Sequence, residues 1–509
     1  MSKIRSMKFI FLALLIASAS ILLPRAQAQH TDAVYNGWIS AYQVTDGSNF
    51  YLAKSFSDRS AGFWSQGYLI FEAQDAYFQS RKATRYAQVV QLLNDFLAKN
   101  GTDWTGDSWD DDLEWIIYAF VRGYEITGNT SYLNVAVSNW NAVYNRGWDS
   151  TLGGGIWEEN NGRGSKCVLS NSPYVIEGVE LYRATGTASY LTRSQQVYEW
   201  VRNNLFNHTN SNNANGVPGQ GGECIQAATG LDVSDNIYNM GLIVNSAAAL
   251  YWATGGNSEY SNDLALAATH VMTKWPTLSA DYVANGYFSA DHLLRGLGFY
   301  SNYANKWGTY QTYIQNNANA AWNKRRTDYN ISHNNWTTTT DTSNVYAMET
   351  AASVTVQATL PLGFSFSGNY EIQNANSGLA LDISGGSTSS GAAVVQNTYT
   401  GATSQLWTFV HTAGDYYQIK NVKSGLVLNV KGHATTSGGL LQQYAAQGML
   451  PGNDQWLPAI NYADNTYSFY SLNSQLALEV PGASKSTGVQ LDQWFANNNT
   501  NQKFNLISR

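Results

Sequence analysis

Tyr124-Glu125-Ile126-Thr127-Gly128, followed after a polar turn by Tyr132-Leu133, is the stretch that decides the fold. An apolar run of helical spacing, Leu113 to Tyr124, ends there, and a second, Tyr132 to Val143, begins beyond it. Glycine takes the left-handed conformation that closes a helix, and the Asn, Thr or Ser that follows can cap the next one. The junction recurs as Tyr182-Arg183-Ala184-Thr185-Gly186 before Tyr190-Leu191, and as Tyr251-Trp252-Ala253-Thr254-Gly255 before Tyr260. The glycines lie 58 and 69 residues apart, room for two helices, one tight connection and one long one. Similar runs span Tyr86 to Leu93, Tyr174 to Tyr182, Tyr190 to Leu205, Met240 to Tyr251 and Leu264 to Trp275. Residues 31–357 therefore read as helical hairpins that close on themselves into an α/α toroid. The long connections, Trp148 to Ser172 and Asn207 to Asn236, are rich in Gly, Asn and aromatics. Loops of that length in a compact domain usually carry a site.

The period changes at Leu360-Pro361-Leu362-Gly363, inside a linker placed at 358–369. From 370 to 509 the chain reads as short strands and turns with a threefold repeat. Ser377-Gly378-Leu379-Ala380-Leu381-Asp382-Ile383 returns 47 residues later as Ser424 to Val430, and 50 residues after that as Ser474 to Val480. Each copy closes on a second mark: Gln405-Leu406-Trp407, Gln455-Trp456, Gln502-Lys503-Phe504. Three copies near 50 residues, about four strands each, read as an all-β β-trefoil, since one copy could not bury its apolar side alone.

At the other end, Arg5 and Lys8 precede an apolar run from Phe9 to Leu23, and Ala26-Gln27-Ala28 follows. Residues 1–28 read as a secretory signal peptide, the run being too short to span a membrane. No later segment reaches 18 apolar residues, so the mature chain is expected to be secreted, extracellular or periplasmic, without a membrane span. Charged residues make up 13% of the 509 and the net charge is -7, which gives no polybasic footprint for nucleic acid. The 17 Trp, 33 Tyr and 18 Phe form core, and beside uncharged polar groups they also suit sugar faces. The two cysteines, Cys167 and Cys224, lie in similar Gly/Asn-rich settings. Export permits a disulfide between them, and two buried free thiols are the alternative. Nothing in the His and Cys spacing suggests a metal site, and no cofactor is implied.

Trp109-Asp110-Asp111-Asp112-Leu113-Glu114-Trp115 places three consecutive carboxylates, boxed by tryptophans, at a helix start in a chain with only 36 acidic residues. Like charges so close raise one another's pKa. One protonated and one ionised carboxyl is the combination that glycosidic cleavage needs. The alternative is an acidic first turn favoured by the helix dipole.

With the acidic stretch and the junctions in place, residues 31–357 resemble the glycoside hydrolase family 76 endo-α-1,6-mannanases. Asp111-Asp112-Leu113-Glu114-Trp115 matches that family's adjacent-aspartate motif and Gly153-Gly154-Gly155-Ile156-Trp157 its glycine-rich loop. Lys166 and Asn171 match polar residues just beyond that loop. Tyr238-Asn239-Met240-Gly241 matches a Tyr-Asn-x-Gly segment, and Leu294-Arg295-Gly296-Leu297 a later one where the family usually has Lys. The resemblance implies an (α/α)6 barrel and retaining hydrolysis of α-1,6-mannan, with Asp111 as nucleophile and Asp112 as general acid/base. If the frame slips by one, the pair is Asp110 and Asp111. Trp115, at i+4 from Asp111, either walls its pocket or packs in the core. Trp148, Trp157 and Tyr238 are candidate sugar platforms; Lys166, Asn171 and Asn239 are candidate hydroxyl ligands. Arg295 either contacts a sugar or pairs with Asp291 at i, i+4.

Residues 370–509 resemble the ricin-type lectin domain, found as a carbohydrate-binding module on secreted glycosidases. Its sugar contacts come from an Asp early in each repeat, a mid-repeat aromatic and nearby Asn or Gln. The early positions hold Asp382, Asn429 and Glu479. The first repeat is therefore the expected binder, with Gln396, Asn397 and Tyr399 beside Asp382, and Tyr444 and Trp494 as the aromatics of the later repeats. The expected partner is α-mannan or a related polysaccharide, and the expected assembly a monomer. Other readings are another (α/α)6 hydrolase or lyase, and a non-catalytic glycan-binding protein.

Overall fold

The computed structural model describes residues 30–47, 49–279 and 290–509; the signal segment lies outside them. Among the described residues, twelve helices fill the first part of the chain: α1 (30–42), α2 (Trp64–Ser80), α3 (Ala83–Asn100), α4 (Asp110–Thr127), α5 (Thr130–Gly147), α6 (Ser172–Thr185), α7 (Ala188–Asn204), α8 (Ile237–Ala253), α9 (Ser258–Lys274), α10 (Asp291–Ala304), α11 (Trp307–Lys324) and α12 (Ala347–Thr359). The even-numbered helices pack in sequence, and α12 returns to α2, which closes an inner ring. The odd-numbered helices form the outer layer. Their sequences show why. Outer α3 buries Val89, Leu92, Leu93 and Phe96, one stripe of a helix wet on its other side, whereas inner α8 is buried almost throughout. Glycines let the inner helices approach. A Cβ on Gly67 of α2 would sit 2.7 Å from the Ile116 backbone of α4.

The junctions work as read. The Gly128 and Gly186 amides, at positive φ, donate to Tyr124 O and Tyr182 O. Asn129 and Asn257 accept from the amides of Ser131 and Glu259, both at 3.0 Å, whereas Thr187 makes no side-chain cap. Short strands lie in the connections: a hairpin β1 (Gln43–Asp46) and β2 (Asn49–Leu52), and a three-stranded sheet β3 (Ser165–Cys167), β4 (Cys224–Gln226) and β5 (Gly230–Asp232).

From Tyr370 onward the chain is the expected trefoil. Its three repeats carry the same bond: Ser377, Ser424 and Ser474 each donate a 2.7 Å hydrogen bond to the Gln nineteen residues on, Gln396, Gln443 and Gln493. The closing marks Trp407, Trp456 and Phe504 are fully buried in one core. The connecting stretch is held rather than loose. The amides of Leu362 and Gly363 donate to Asp415, and Phe366 stacks on Phe409 at 4.4 Å.

The trefoil sits on the C-terminal ends of the inner helices. Tyr303, at the end of α10, donates to Leu472 O at 2.6 Å. Arg81, which caps α2, lies 4.2 Å over the Tyr470 ring, and Tyr124 of α4 meets Phe495 edge-on at 5.3 Å. A cavity of about 190 Å³ remains between the two parts, lined among others by Glu125, Arg183, Asp415 and Leu472. The acidic stretch starts α4 and therefore opens at the opposite end of the barrel.

Candidate active site

Trp109 precedes α4 without capping it, so the three first-turn acids provide the negative charge at this helix start. They do not share one environment. Asp110 is fully buried. Its carboxylate accepts from Arg146 Nε at 2.5 Å, and its amide donates to Glu158 O at 2.8 Å. Arg146 also donates to the carbonyls of Thr105 and Asp107, tying the approach loop to α5. Burial pushes Asp110 up to about 7 against the pull of Arg146.

Asp111 and Asp112 are half-buried, and Asp111 Oδ1 is buried with no hydrogen-bond partner. Burial, then the Asp112 and Glu158 charges, raise Asp111 well above the usual carboxylate range. Burial and the neighbouring Asp107 push Asp112 up to about 7. Both carboxyls are thus biased toward the protonated form. That supplies the acid form that a general acid needs.

The two long loops meet beside this pair. Trp109 bridges Glu159, and β3 pairs with β4 with Cys167 opposite Cys224. The cysteines are bonded, with Cα atoms 4.0 Å apart. Glu158 accepts from Ser165 Oγ at 2.6 Å beside the bridge, and its charge reaches Asp111.

Several residues expected to touch sugar are buried or bound to groups within the protein. Lys166 is fully buried and donates to Asp149 Oδ1 and to the carbonyls of Thr151 and Gly154, so it braces the glycine-rich loop. Asn171 accepts from the Ile156 amide and donates to the carbonyls of Ile156 and Cys167. Trp157 is buried, its indole N–H donating to Asp149 at 2.8 Å. Trp115 packs among Tyr68, Phe71, Tyr238 and His292. Arg295 lies among inner helices α2, α4 and α10, paired with Asp75 at 2.6 Å and Asp291 at 2.9 Å. Tyr238 is also buried, and burial, then the Asp111 charge, raises its hydroxyl. It stands beside the pair. Trp148 stays half-buried, stacked on Tyr144 at 5.5 Å. Asn239 is buried. Sequence reading gave no part to Arg146 or Glu158: neither carries a local signal, because each acts across a loop.

A family model for glycosyl hydrolase family 76 matches residues 28–364. The chain belongs to that family. As a family 76 member it is a glycoside hydrolase, and residues 363–444 and 452–509 match the ricin-type beta-trefoil lectin domain-like family. A curated relative, mannan endo-1,6-alpha-mannosidase DFG5 of Saccharomyces cerevisiae, is 30% identical over 142 residues, 27% of this chain and 30% of that protein. The matched part thus spans under a third of that relative's length. The GH76A alpha-1,6-mannanase of Salegentibacter sp. HEL1_6 superposes with TM-score 0.58 at 19% identity, covering 65% of this chain and 98% of that one. An inactive variant of that enzyme, with two consecutive aspartates replaced by Asn and alpha-1,6-mannotriose bound, matches equally. The mannosidase Bt3792 of Bacteroides thetaiotaomicron gives 0.54 at 18% identity, over 65% and 97%. These likenesses show a shared fold.

In the lectin domain of this family 76 chain, strand register revises the reading of the repeats. Asp382, Asn429 and Glu479 stand opposite Val395, Gln442 and Asp492. Two residues further on, Tyr444 and Trp494 present exposed rings in repeats two and three, and Asn397 takes that place in repeat one. Tyr399 lies beyond it, under the Arg509 guanidinium at 4.6 Å. Gln396 is the buried partner of Ser377 and also donates to Ser484 O and Ser486 O. Asn397 donates to Asp382 at 3.1 Å. The first repeat thus keeps the acid without the ring, and the third keeps both, with Glu479 accepting from Asn501 and Gln502.

Proposed function

We propose that the chain is an exported endo-acting α-1,6-mannan hydrolase that works with retention of configuration, with Asp111 as nucleophile and Asp112 as general acid/base. The observation that carries this reading is the division among the three acids. Asp110 is buried and tied to Arg146, so the frame Asp111–Asp112 holds the two acids open to a glycan. Support also comes from the Salegentibacter variant, inactive when two consecutive aspartates are replaced and solved with α-1,6-mannotriose.

The chemistry follows the pair. Asp111, ionised, attacks the anomeric carbon while the glycosidic C–O bond breaks and Asp112 gives its proton to the leaving oxygen. Water then attacks the glycosyl ester, Asp112 takes a proton from it, and Asp111 is released. Positive charge developing at the anomeric carbon favours the ionised Asp111, which offsets the upward pull of burial.

A lyase on a uronate polymer would want free cations at the cleft. Arg146 and Lys166, beside this site, are committed to Asp110 and Asp149. A panel of debranched α-1,6-mannan, uronate polymers and other glycans separates the readings. Manno-oligosaccharides released mid-chain support the proposal. Turnover of another glycan with none of α-1,6-mannan overturns it.

A further inference from the structure

Repeat three of the lectin domain sets two acids against each other where the other repeats do not. Glu479 and Asp492 stand opposite one another on the strands Ala477–Glu479 and Asp492–Trp494. Opposite residues of an antiparallel pair put their side chains on one face, within contact reach. The other repeats fill this register differently. In repeat two Gln442 donates across it to Asn429 at 3.0 Å, and in repeat one Val395 faces Asp382. In repeat three both members are more than nine-tenths buried, and they are not equivalent. Glu479 accepts from the side-chain amides of Asn501 and Gln502. Asp492 Oδ1 is buried and has no hydrogen-bond partner among the described residues. Two donors stabilise the charge on Glu479. Asp492, without a donor at Oδ1 and facing that charge, is the member that takes a proton. Burial and then the Glu479 charge push Asp492 up to about 7. Among the described residues, Glu479 is the titratable group that faces it. Leu440 stands opposite Asp492 on the other neighbouring strand, and Asn501 and Gln502 are neutral.

Trp494 follows two residues after Asp492 and so lies on the same face of the strand. Its ring is 43% exposed, and the small Ala477 stands opposite it. A buried carboxyl oxygen in need of a partner thus borders an open aromatic face. We propose that repeat three binds an uncharged sugar residue of a glycan together with a proton on Asp492: the sugar's C–H face stacks on Trp494, a sugar hydroxyl partners Asp492 Oδ1, and the lectin domain therefore holds glycan more tightly in mild acid. The inference stands apart from the mannanase reading, which concerns the other end of the molecule. A sugar seated on Trp494 displaces the water left at Asp492 and brings no cation, so it disfavours the ionised carboxylate further. The protonated carboxyl offers a donor and an acceptor to sugar hydroxyls. Ionised, Asp492 would be a second negative charge against Glu479 under a covered site. An anionic sugar would add a third, which is why the ligand is assigned to the neutral class.

Affinity electrophoresis of the full-length chain tests this, at about pH 5.5 and about pH 8, through gels carrying debranched α-1,6-mannan, xylan or galactan. A D111N parent keeps the mannan intact. W494A on that parent identifies the share of retention that belongs to repeat three. If only the protonated site binds, that share should be about tenfold weaker at the higher pH, because the competent fraction falls by that factor. D492N, neutral at both values, should keep its share at both. Retention by the parent that is equal or stronger at the higher pH overturns the proposal. So does a D492N chain that keeps the parent's loss, or a W494A chain retained like the parent on every polymer. A second measurement needs no substitution at 492. Titration calorimetry of the parent near pH 7.5, in two buffers of different ionisation heat, should show uptake of about one proton with the polymer that W494A singles out. No uptake there overturns the proposal even if D492N fails to fold. Wild type without mannanase activity would sink the catalytic reading and leave these outcomes standing.

Discussion

Arg146 holds Asp110 through a 2.5 Å contact at the start of α4, and Asp111 and Asp112 are the two of the three acids that keep some exposed surface. One of three consecutive aspartates is thereby turned into scaffold. Removing the arginine strands a buried carboxylate, so R146A should lose about 3 kcal/mol. D110N keeps a polar group of the same shape and should lose less. Chemical denaturation of the two variants tests this order. Equal stabilities would mean that the contact holds nothing.

Cys167 and Cys224 join the two long loops 57 residues apart in sequence. A closed loop of that length stabilises by about 4 kcal/mol in the chain-entropy account. C167S/C224S should therefore melt markedly lower. Its KM should also rise, because β3 and β4 carry the wall beside Glu158. An unchanged melting temperature would rule out the loop-bridging role.

Acid dependence has a definite sign. Glu72, Glu114 and Glu177 are raised well above the usual range, Glu180 to about 8 and Asp112 to about 7, all chiefly by burial. Groups raised in the folded state stabilise fully below their unfolded values and lose that contribution as pH rises through the folded ones. Asp149, lowered to about 2 with Lys166 as a partner, acts the other way: its contribution is present above about 4 and lost as pH falls through about 2. Melting temperature should be higher near pH 5 than near pH 8. The reverse order, measured by calorimetry, would contradict the burial of these carboxyls.

Much of this was legible in the chain. The Tyr-x-x-Thr-Gly junctions foretold the hairpins because a helix end needs glycine for a local reason, and locality is what a sequence displays. The trefoil was legible because it is written three times. The site was legible only in part. Lys166, Asn171 and Trp157 look like sugar ligands by residue type. Their partners are backbone carbonyls and Asp149, brought together by a loop path that no spacing reveals. Arg295 shows the opposite case, since its pairing with Asp291 at i, i+4 is a local pattern and is present. In the lectin domain the ring position falls fifteen residues after the early polar one in every repeat, at Asn397, Tyr444 and Trp494. That spacing was available, and the nearby Tyr399 obscured it.

The lectin domain covers the barrel's far end, and the two parts share buried contacts through Arg81, Tyr303 and Tyr124. A chain cut after residue 363 would expose these groups and should melt lower than the whole enzyme or fail to stay soluble. An equally stable truncation would show that the interface is incidental.

Rings at Tyr444 and Trp494, and not the acid of repeat one, are proposed to hold polysaccharide. Stacking of an aromatic ring on the C–H face of a sugar contributes mainly through buried apolar area. W494A and Y444A should each weaken retention on insoluble mannan several-fold, whereas D382N should change it little. Affinity electrophoresis of the full-length variants decides this, and the opposite ranking would restore the first repeat as the binder.

The central claim is that Asp111 and Asp112 cleave α-1,6-mannan while Asp110 supports them. Its most direct measurement is the initial rate of wild type, D110N, D111N and D112N on debranched α-1,6-mannan, with circular dichroism confirming that each is folded. The account predicts D111N and D112N slower by several orders of magnitude and D110N within about tenfold of wild type. An inactive D110N beside an active D112N would contradict it.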